Sequence, residues 1–194
     1  VLIEQRSEPV YGRRSKLLSF AANNDYFIGL NLGVRRSQVG VTTLDGEIED
    51  EVEFETPADA KKALVIAYEH IQKLRQTHSE RRLKVIGVSV PGMTDVGRRN
   101  LLYAPNLGWR NVAVADALQG RDQISVVVEN DSTAAATYEE RRKIRSSADG
   151  LMTNFILVRS GTGIGVGLVI GGEVYRGTGA GRGGVRRFAT PRAT

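Results

Sequence analysis

The strongest constraint on the fold is a pair of short, almost uninterrupted apolar runs, at residues 83–90 and 124–128. Pro91 stops the first run, and a polar segment that begins at Glu129 follows the second. Runs of this length are typical of strands that are covered on both faces, as in a parallel sheet. We therefore expect two buried strands whose ends open into loops.

Three further strand candidates precede these runs, at residues 26–32, 37–44 and 47–54. Asp45-Gly46 marks a tight turn between the second and the third. Apolar and polar residues alternate in the later segments, which is typical of strands with one solvated face. The pattern predicts an antiparallel meander of three strands.

A helix is predicted to follow at Thr56-Pro57-Ala58-Asp59, with the threonine hydroxyl as its cap and proline at its first position. Apolar residues then recur at three- and four-residue spacing: Ala60, Ala63, Leu64, Ala67, Ile71 and Leu74. Two more helices are expected at residues 112–118 and 132–145, and further strands at 155–158 and 166–170. Helices that alternate with strands indicate the α/β class.

Composition excludes several kinds of protein. The chain has no cysteine, which excludes disulfides, a thiolate nucleophile and cysteine-bound zinc. Its apolar runs are too short to span a membrane, so we expect a cytoplasmic protein. His70 and His78 lie on or near the first helix with no cluster of partners, which favours a solvated or structural role over metal binding.

The net charge of +5 suggests an anionic partner such as nucleic acid, but the charge is concentrated at the two ends. Residues 1–20 carry four basic and two acidic side chains, and residues 177–194 carry four arginines and no acid. The segment between them is close to neutral. We expect no specific DNA binding by this chain alone.

Polar and glycine-rich loops follow the strands at residues 33–35, 91–92, 104–109 and 129–132. Ligands of α/β sheets bind outside the carboxyl ends of the strands. Asparagine and aspartate supply both donors and acceptors in a fixed array, as a small polyol requires. The loops therefore predict a site for a polar small molecule.

Four motifs in order, at residues 87–92 (GVSVPG), 104–109 (APNLGW), 129–135 (ENDSTAA) and 161–165 (GTGIG), resemble the ROK family of repressors, open reading frames and sugar kinases. The resemblance covers roughly residues 26–180. It implies an actin-like ATPase (ribonuclease H-like) fold, here with a truncated second lobe.

The resemblance also implies site residues. Those that match sugar-binding positions are Gly92, Asn106, Asn130 and Asp131, and those that match the nucleotide loops are Gly33, Gly161, Thr162 and Gly163. In a kinase, Asp131 would be the general base. Two structural alternatives stay open: Asn130-Asp131 as a plain helix cap, and residues 161–163 as a hairpin turn.

The loop after the first strand departs from the family's kinases, which carry an Asp-x-Gly-Gly-Thr type sequence. Asn31 lacks the charge that helps to organise magnesium, Val34 adds bulk, and Arg35 replaces a hydroxyl residue. We expect weak or absent use of ATP, because positioning and electrostatics supply nearly all of phosphoryl-transfer catalysis. No cofactor is expected, ATP and magnesium being needed only by a kinase; the family's cysteine-rich zinc motif is missing.

Four segments are predicted. Residues 1–24 resemble a linker and the remnant of a winged helix-turn-helix domain, and residues 25–150 an N-terminal ROK lobe. Residues 151–180 would begin the second lobe. Residues 181–194 are an atypical basic tail, either the product of a truncation or frameshift or a genuine disordered tail.

Three functions are compatible with these features. The first is the sugar-effector-binding portion of a ROK-type transcriptional regulator that lacks its DNA-binding domain, contacting DNA only through a missing upstream domain. The second is an ATP-dependent kinase of a hexose or amino sugar. The third is a non-catalytic dimerisation module. We expect a sugar or sugar derivative as partner, no membrane, self-association and no enzyme activity.

Overall fold

The structure is a computed structural model that describes residues 2–6, 16–20, 24–121, 123–145 and 153–177. Within these residues the chain forms a mixture of helices and sheets, so the predicted α/β class is confirmed. The strands are β1 (Leu2–Arg6), β2 (Lys16–Phe20), β3 (Asp25–Asn31), β4 (Arg36–Thr42), β5 (Ile48–Glu55), β6 (Arg82–Val90), β7 (Met93–Thr94), β8 (Leu101–Ala104), β9 (Trp109–Val112), β10 (Ser125–Asn130), β11 (Phe155–Ser160), β12 (Ile164–Ile170) and β13 (Glu173–Tyr175). The helices are α1 (Ala60–Thr77), α2 (Val114–Gln119) and α3 (Asp131–Arg145).

A five-stranded sheet of order β10-β6-β3-β4-β5 forms the centre of the fold. β3, β4 and β5 pair antiparallel, so the predicted meander is confirmed. β6 pairs in parallel with both β3 and β10. This arrangement places the ends of three parallel strands at one edge of the sheet.

Helices α1 and α2 cover one face of this sheet, with α1 against β4 and α2 against β10. The predicted apolar stripe of α1 is buried from Ala63 to Leu74, and Ile71 is fully buried. Burial of such an aliphatic side chain contributes about 1.5–3 kcal/mol. The expectation that β6 is buried on both faces is wrong for the described residues, because Ile86 and Val88 are buried while Gly87 between them is exposed.

The predicted cap of α1 is also wrong. Asp59 is the N-cap, and its Oδ1 accepts a hydrogen bond from the Lys62 backbone N–H at 2.8 Å. The backbone N–H of Thr56 still pairs with the Arg35 carbonyl, which keeps the chain extended at that residue. The Thr56 hydroxyl instead lies 2.8 Å from the Ser37 hydroxyl.

The sequence patterns predict no strand within residues 93–110, but these residues contain most of a small antiparallel sheet of order β7-β8-β9. Its strands are too short to show a recognisable alternation of apolar and polar residues. Leu101 and Trp109 are nevertheless buried. Tertiary packing on the main core therefore produces this sheet.

A third sheet, of order β11-β12-β13, is antiparallel and packs against α3. Near the amino terminus, β1 and β2 pair antiparallel within the segment that was interpreted as a linker. The predicted tail at residues 181–194 lies outside the described residues, and the division into lobes stays a prediction. No helix in the described ranges is long and apolar enough to cross a membrane.

Candidate functional site

The loops that were singled out in the sequence come together at one edge of the central sheet. Asn31 at the end of β3 pairs in register with Ser89 on β6, and Asn130 at the end of β10 pairs with Val90. The Ser89 hydroxyl donates to Asn31 Oδ1 at 2.8 Å, which ties β3 to β6. The carboxyl ends of the three strands thus form the floor of the candidate site.

The amide of Asn130 connects two of these loops. Its Nδ2 donates to the Gly92 carbonyl at 2.9 Å. Its Oδ1 accepts from the backbone N–H groups of Ser132 and Thr133 at 3.0 and 3.1 Å. Asn130 therefore caps α3, as the structural alternative stated, and it also fixes the turn after β6. Contact with a sugar remains a prediction for this residue.

Gly92 is required where the turn meets the small sheet. A Cβ at this position would lie 2.4 Å from the Tyr103 carbonyl oxygen and 3.0 Å from the Ala104 Cα. A side chain would therefore separate the turn from the end of β8. This contact brings Gly92 and Asn130 close to the turn that carries Asn106.

Asn106 is half-buried in the turn between β8 and β9. The turn is closed by a hydrogen bond from the Leu107 N–H to the Ala104 carbonyl at 3.1 Å. Trp109 anchors it, because its indole Nε1 donates to the Ala58 carbonyl at 2.7 Å. Three of the four predicted sugar-binding residues, Gly92, Asn106 and Asn130, therefore lie on turns that hydrogen bonds and close packing join.

Asp131, the fourth, is ion-paired. Its Oδ2 lies 3.0 Å from Nη1 of Arg159 on β11, and its side chain is 24% exposed. Its Oδ1 accepts from the Ser132 backbone N–H at 2.8 Å. Both carboxylate oxygens thus have a partner within the chain. Sequence reasoning missed Arg159, since no local pattern shows which carboxylate an arginine on a distant strand will reach.

The GTGIG motif forms the turn between β11 and β12. The Gly161 N–H donates to the Gly163 carbonyl at 3.0 Å, and Thr162 between them is exposed. No other group lies within 4 Å of a Cβ built on Gly161, so packing does not require glycine there. The geometry is that of a hairpin turn, and the approach of phosphates to it remains a prediction.

Two glycines on β12 do have a packing role. A Cβ on Gly165 would lie 2.0 Å from the Ser132 hydroxyl oxygen, and a Cβ on Gly167 would lie 2.5 Å from Ala136 Cβ. Close approach of the strand to α3 therefore depends on these residues. It places the turn at residues 161–163 at the same end of α3 as Asn130 and Asp131.

The loop after β3 is also shaped by packing. A Cβ on Gly33 would lie 2.1 Å from the Arg36 carbonyl oxygen, so this turn admits only glycine. Val34 is half-buried and Arg35 is exposed. Gly33 lies at the same sheet edge as Gly92, but its local contact accounts for it without a nucleotide.

Sequence reasoning also missed a second group of charged side chains, which surrounds Glu129. The Glu129 side chain is 9% exposed, and its Oε2 lies 3.0 Å from Arg176 Nε and 3.3 Å from Arg98 Nε. These residues line a cavity of about 130 Å³. Its walls are formed by Thr94, Asp95, Val96, Arg98, Glu129, Arg176 and Gly177.

Asp95 organises the turn between β7 and β8. Its Oδ1 accepts from the Arg99 and Asn100 N–H groups at 2.8 and 2.9 Å, and its Oδ2 from Asn100 Nδ2 at 2.8 Å. Partial burial raises the pKa of Asp95, but these hydrogen bonds outweigh burial and hold its pKa below the usual value. Asp95 is therefore a structural anion.

The two histidines contact aromatic rings. His70 stacks on Phe54 with ring centroids 5.2 Å apart, and His78 lies 5.7 Å from Tyr26. His78 Nε2 is also 3.7 Å from Asp50 Oδ2. Among the residues that the structure describes, no group of three or more histidine, aspartate or glutamate side chains could hold a metal ion.

The chain is similar to proteins of one known family. The sequence profile of the ROK family matches residues 27–186. The xylose repressor of Bacillus spizizenii is 31% identical over 170 residues, which cover 86% of this chain and 43% of the repressor. The glucokinase of Halalkalibacterium halodurans is 28% identical over 156 residues, which cover 78% of this chain and 46% of the enzyme.

Among solved structures, the ROK family glucokinase from Streptomyces griseus in complex with glucose and AMPPNP superposes with a TM-score of 0.65 at 30% identity. The match covers 84% of this chain and 48% of the glucokinase. The actin-like ATPase fold is thus confirmed. The chain spans less than half the length of each of these relatives.

Proposed function

The chain belongs to the ROK family, and from this membership we propose that it is the sugar-effector-binding portion of a transcriptional regulator. Its relatives include xylose repressors and glucokinases, so a regulator and a sugar kinase are both compatible with the family. The observation that favours the regulator is the ion pair between Asp131 and Arg159.

A kinase needs a carboxylate that can take a proton from the hydroxyl that is to be phosphorylated. Asp131 already shares one oxygen with the Arg159 guanidinium and the other with the Ser132 N–H. A hydroxyl that approaches Oδ2 must compete with a charge-assisted hydrogen bond. This arrangement suits recognition of a sugar better than proton transfer.

The loop after β3 supports the same proposal. Asn31 carries no charge, and its Oδ1 already accepts from the Ser89 hydroxyl. The exposed Arg35 stands where the kinases of the family have a hydroxyl residue. A regulator of this kind would require no ATP or magnesium.

The amino-terminal strands fit the same proposal. In a regulator, the paired strands β1 and β2 would be the wing of a winged helix-turn-helix domain. Contact with DNA would come from that domain, and the regulator would act in the cytoplasm.

In this proposal the sugar binds Gly92, Asn106, Asn130 and Asp131. Two of these side chains already hold structural elements: Asn130 holds the start of α3 and Asp131 holds β11. A sugar that hydrogen-bonds Asp131 would therefore change how the β11-β12-β13 sheet is held, and one that hydrogen-bonds Asn130 would change how α3 is capped. An effector can shift the equilibrium between a DNA-binding state and a released state only if it contacts the two states differently.

Two observations test the choice between regulator and kinase. The coding sequence immediately upstream of Val1 is expected to encode a helix-turn-helix in the same frame; a start codon directly before Val1 would contradict the proposal. The product of the full reading frame is expected to form no ADP when it is incubated with ATP, magnesium and a panel of hexoses. Sugar-dependent ADP formation would establish the kinase instead.

A further inference from the structure

A second group of charges lies next to the candidate sugar site and takes no part in the function proposed above. It consists of Arg98, Glu129 and Arg176, which we call the Glu129 cluster. We propose that this cluster binds the oxyanion, a phosphate or a carboxylate, of a negatively charged sugar effector. The inference rests on the proposed function for the sugar and adds the chemical class of its substituent.

The charges of the cluster are unequal. Two guanidinium groups converge on one buried carboxylate, Glu129 Oε2, from the end of β13 and from the turn between β7 and β8. Within the cluster, two positive charges therefore face one negative charge. The Asp95 carboxylate also lines the cavity, so the charged side chains around it balance, and an oxyanion there would rely on the N–H donors of the two arginines.

The two arginines retain unused donors. Arg176 directs Nε to Glu129, and no described residue accepts a hydrogen bond from its Nη groups. Arg98 Nε lies 3.3 Å from Glu129 Oε2 but is buried without an aligned acceptor in the described part of the chain. A buried donor without a partner calls for an explanation. An oxyanion in the cavity that both side chains line would accept from these guanidinium groups.

The backbone of Arg98 is held in an uncommon conformation. Its φ is 55°, a left-handed backbone conformation that residues other than glycine rarely adopt. Its carbonyl accepts from the Val128 N–H at 2.8 Å, and its N–H donates to the Asp95 carbonyl at 3.1 Å. The surrounding structure thus fixes Arg98 beside Glu129, and strain of this kind is concentrated at ligand sites.

Two residues that line the cavity are close neighbours, in the sequence, of candidate sugar-binding residues. Glu129 directly precedes Asn130, and Thr94 follows Gly92 by two residues. The cavity volume of about 130 Å³ is smaller than the roughly 300–1,000 Å³ of pockets that enclose whole ligands. It suits the substituent of a sugar whose ring is held by Gly92 and Asn130.

The test is calorimetric titration of the full chain with glucose, glucose 6-phosphate, glucuronate and inorganic phosphate. Glucose 6-phosphate or glucuronate is expected to bind at least about tenfold more tightly than glucose, and added salt is expected to reduce this preference. Comparison of the two charged sugars shows whether phosphate or carboxylate is the natural substituent.

Substitutions of the two arginines test whether they bind the oxyanion. Arg98→Gly suits the left-handed backbone and removes the guanidinium, and Arg176→Gln removes the second charge; each is expected to abolish most of the preference. Arg99→Gln is the matched control, because Arg99 pairs with Asp116 away from the cavity. Circular dichroism checks that each variant is folded.

Each outcome decides between the two proposals. Equal affinity for glucose and the charged sugars would overturn the inference and leave the proposed function intact, as would a preference that survives both arginine variants. Failure of every sugar to bind would overturn the proposed function. Binding of inorganic phosphate that depends on Arg98 and Arg176 would support the oxyanion site even in that case.

Discussion

Asp131 and Arg159 form an ion pair, 3.0 Å between Oδ2 and Nη1, that joins the first residue of α3 to β11. Two positions earlier, Glu129 pairs with Arg176, which follows β13. Ser132, the next residue after Asp131, is where Gly165 of β12 makes its closest approach to α3. The β11-β12-β13 sheet is therefore fixed to a four-residue segment, 129–132, which also carries two of the predicted sugar ligands.

The first prediction concerns this ion pair. A double-mutant cycle with Asp131→Asn and Arg159→Gln, followed by urea unfolding, is expected to give a coupling of about 0.2–1 kcal/mol, because the Arg159 side chain is 46% exposed and solvent screens the pair. Additive effects of the two substitutions would contradict a stabilising interaction between the two side chains.

The second prediction concerns the glycines of β12. Gly167→Ala is expected to destabilise the chain by about 1–3 kcal/mol, since its Cβ would lie 2.5 Å from both the Ser132 carbonyl oxygen and Ala136 Cβ. Gly161→Ala is the control, with a change below about 0.5 kcal/mol because nothing lies near its Cβ. Equal midpoints of urea unfolding for the two variants would refute the close packing.

The third prediction separates the two roles of Asn130. Asn130→Ala removes the acceptor of two helix N–H groups and is expected to cost about 1 kcal/mol of unfolding free energy. Asn130→Asp retains that acceptor but cannot donate to the Gly92 carbonyl. It is expected to preserve stability at neutral pH better than alanine does; an equal loss in both variants would assign the stabilisation to the Gly92 contact instead.

The fourth prediction concerns pH. The pKa of Asp95 is held below its usual value, so the carboxylate stabilises the fold above the unfolded-state pKa, and this contribution is lost as pH falls through the folded-state pKa. Chemical denaturation of the wild type and of Asp95→Asn is expected to show a difference in stability that is constant at neutral pH and shrinks below about pH 4. A difference that grows on acidification would contradict the hydrogen bonding seen at Asp95.

The spacing of apolar residues predicted those strands and helices that bury one face against the core. The alternation in β3–β5 and the apolar stripe of α1 follow from burial of one face, and both are confirmed. Two features depend on distant partners, and sequence reasoning missed them. The strands β7–β9 form through packing on the core, and the partners of Arg159 and Arg176 lie on elements remote in sequence.

Capping of α1 shows why the details of an element are harder to predict than its existence. Thr56 and Asp59 both offer a capping oxygen, and the sequence alone does not decide between them. The hydrogen bond from the Thr56 N–H to Arg35 belongs to a contact made 21 residues away in the chain, and it assigns the cap to Asp59.

The proposed function requires that this chain binds a sugar on Gly92, Asn106, Asn130 and Asp131. The most direct test is calorimetric titration of the full chain with xylose, glucose and their charged derivatives, in parallel with Asn106→Ala and Asn111→Gly. Asn111 is exposed and has a left-handed φ of 49°, so its glycine variant is a matched amide control. Saturable binding of at least one sugar is expected, which Asn106→Ala abolishes and Asn111→Gly retains. Heat that is absent for every sugar, or unchanged in Asn106→Ala, would show that these residues do not form a sugar site.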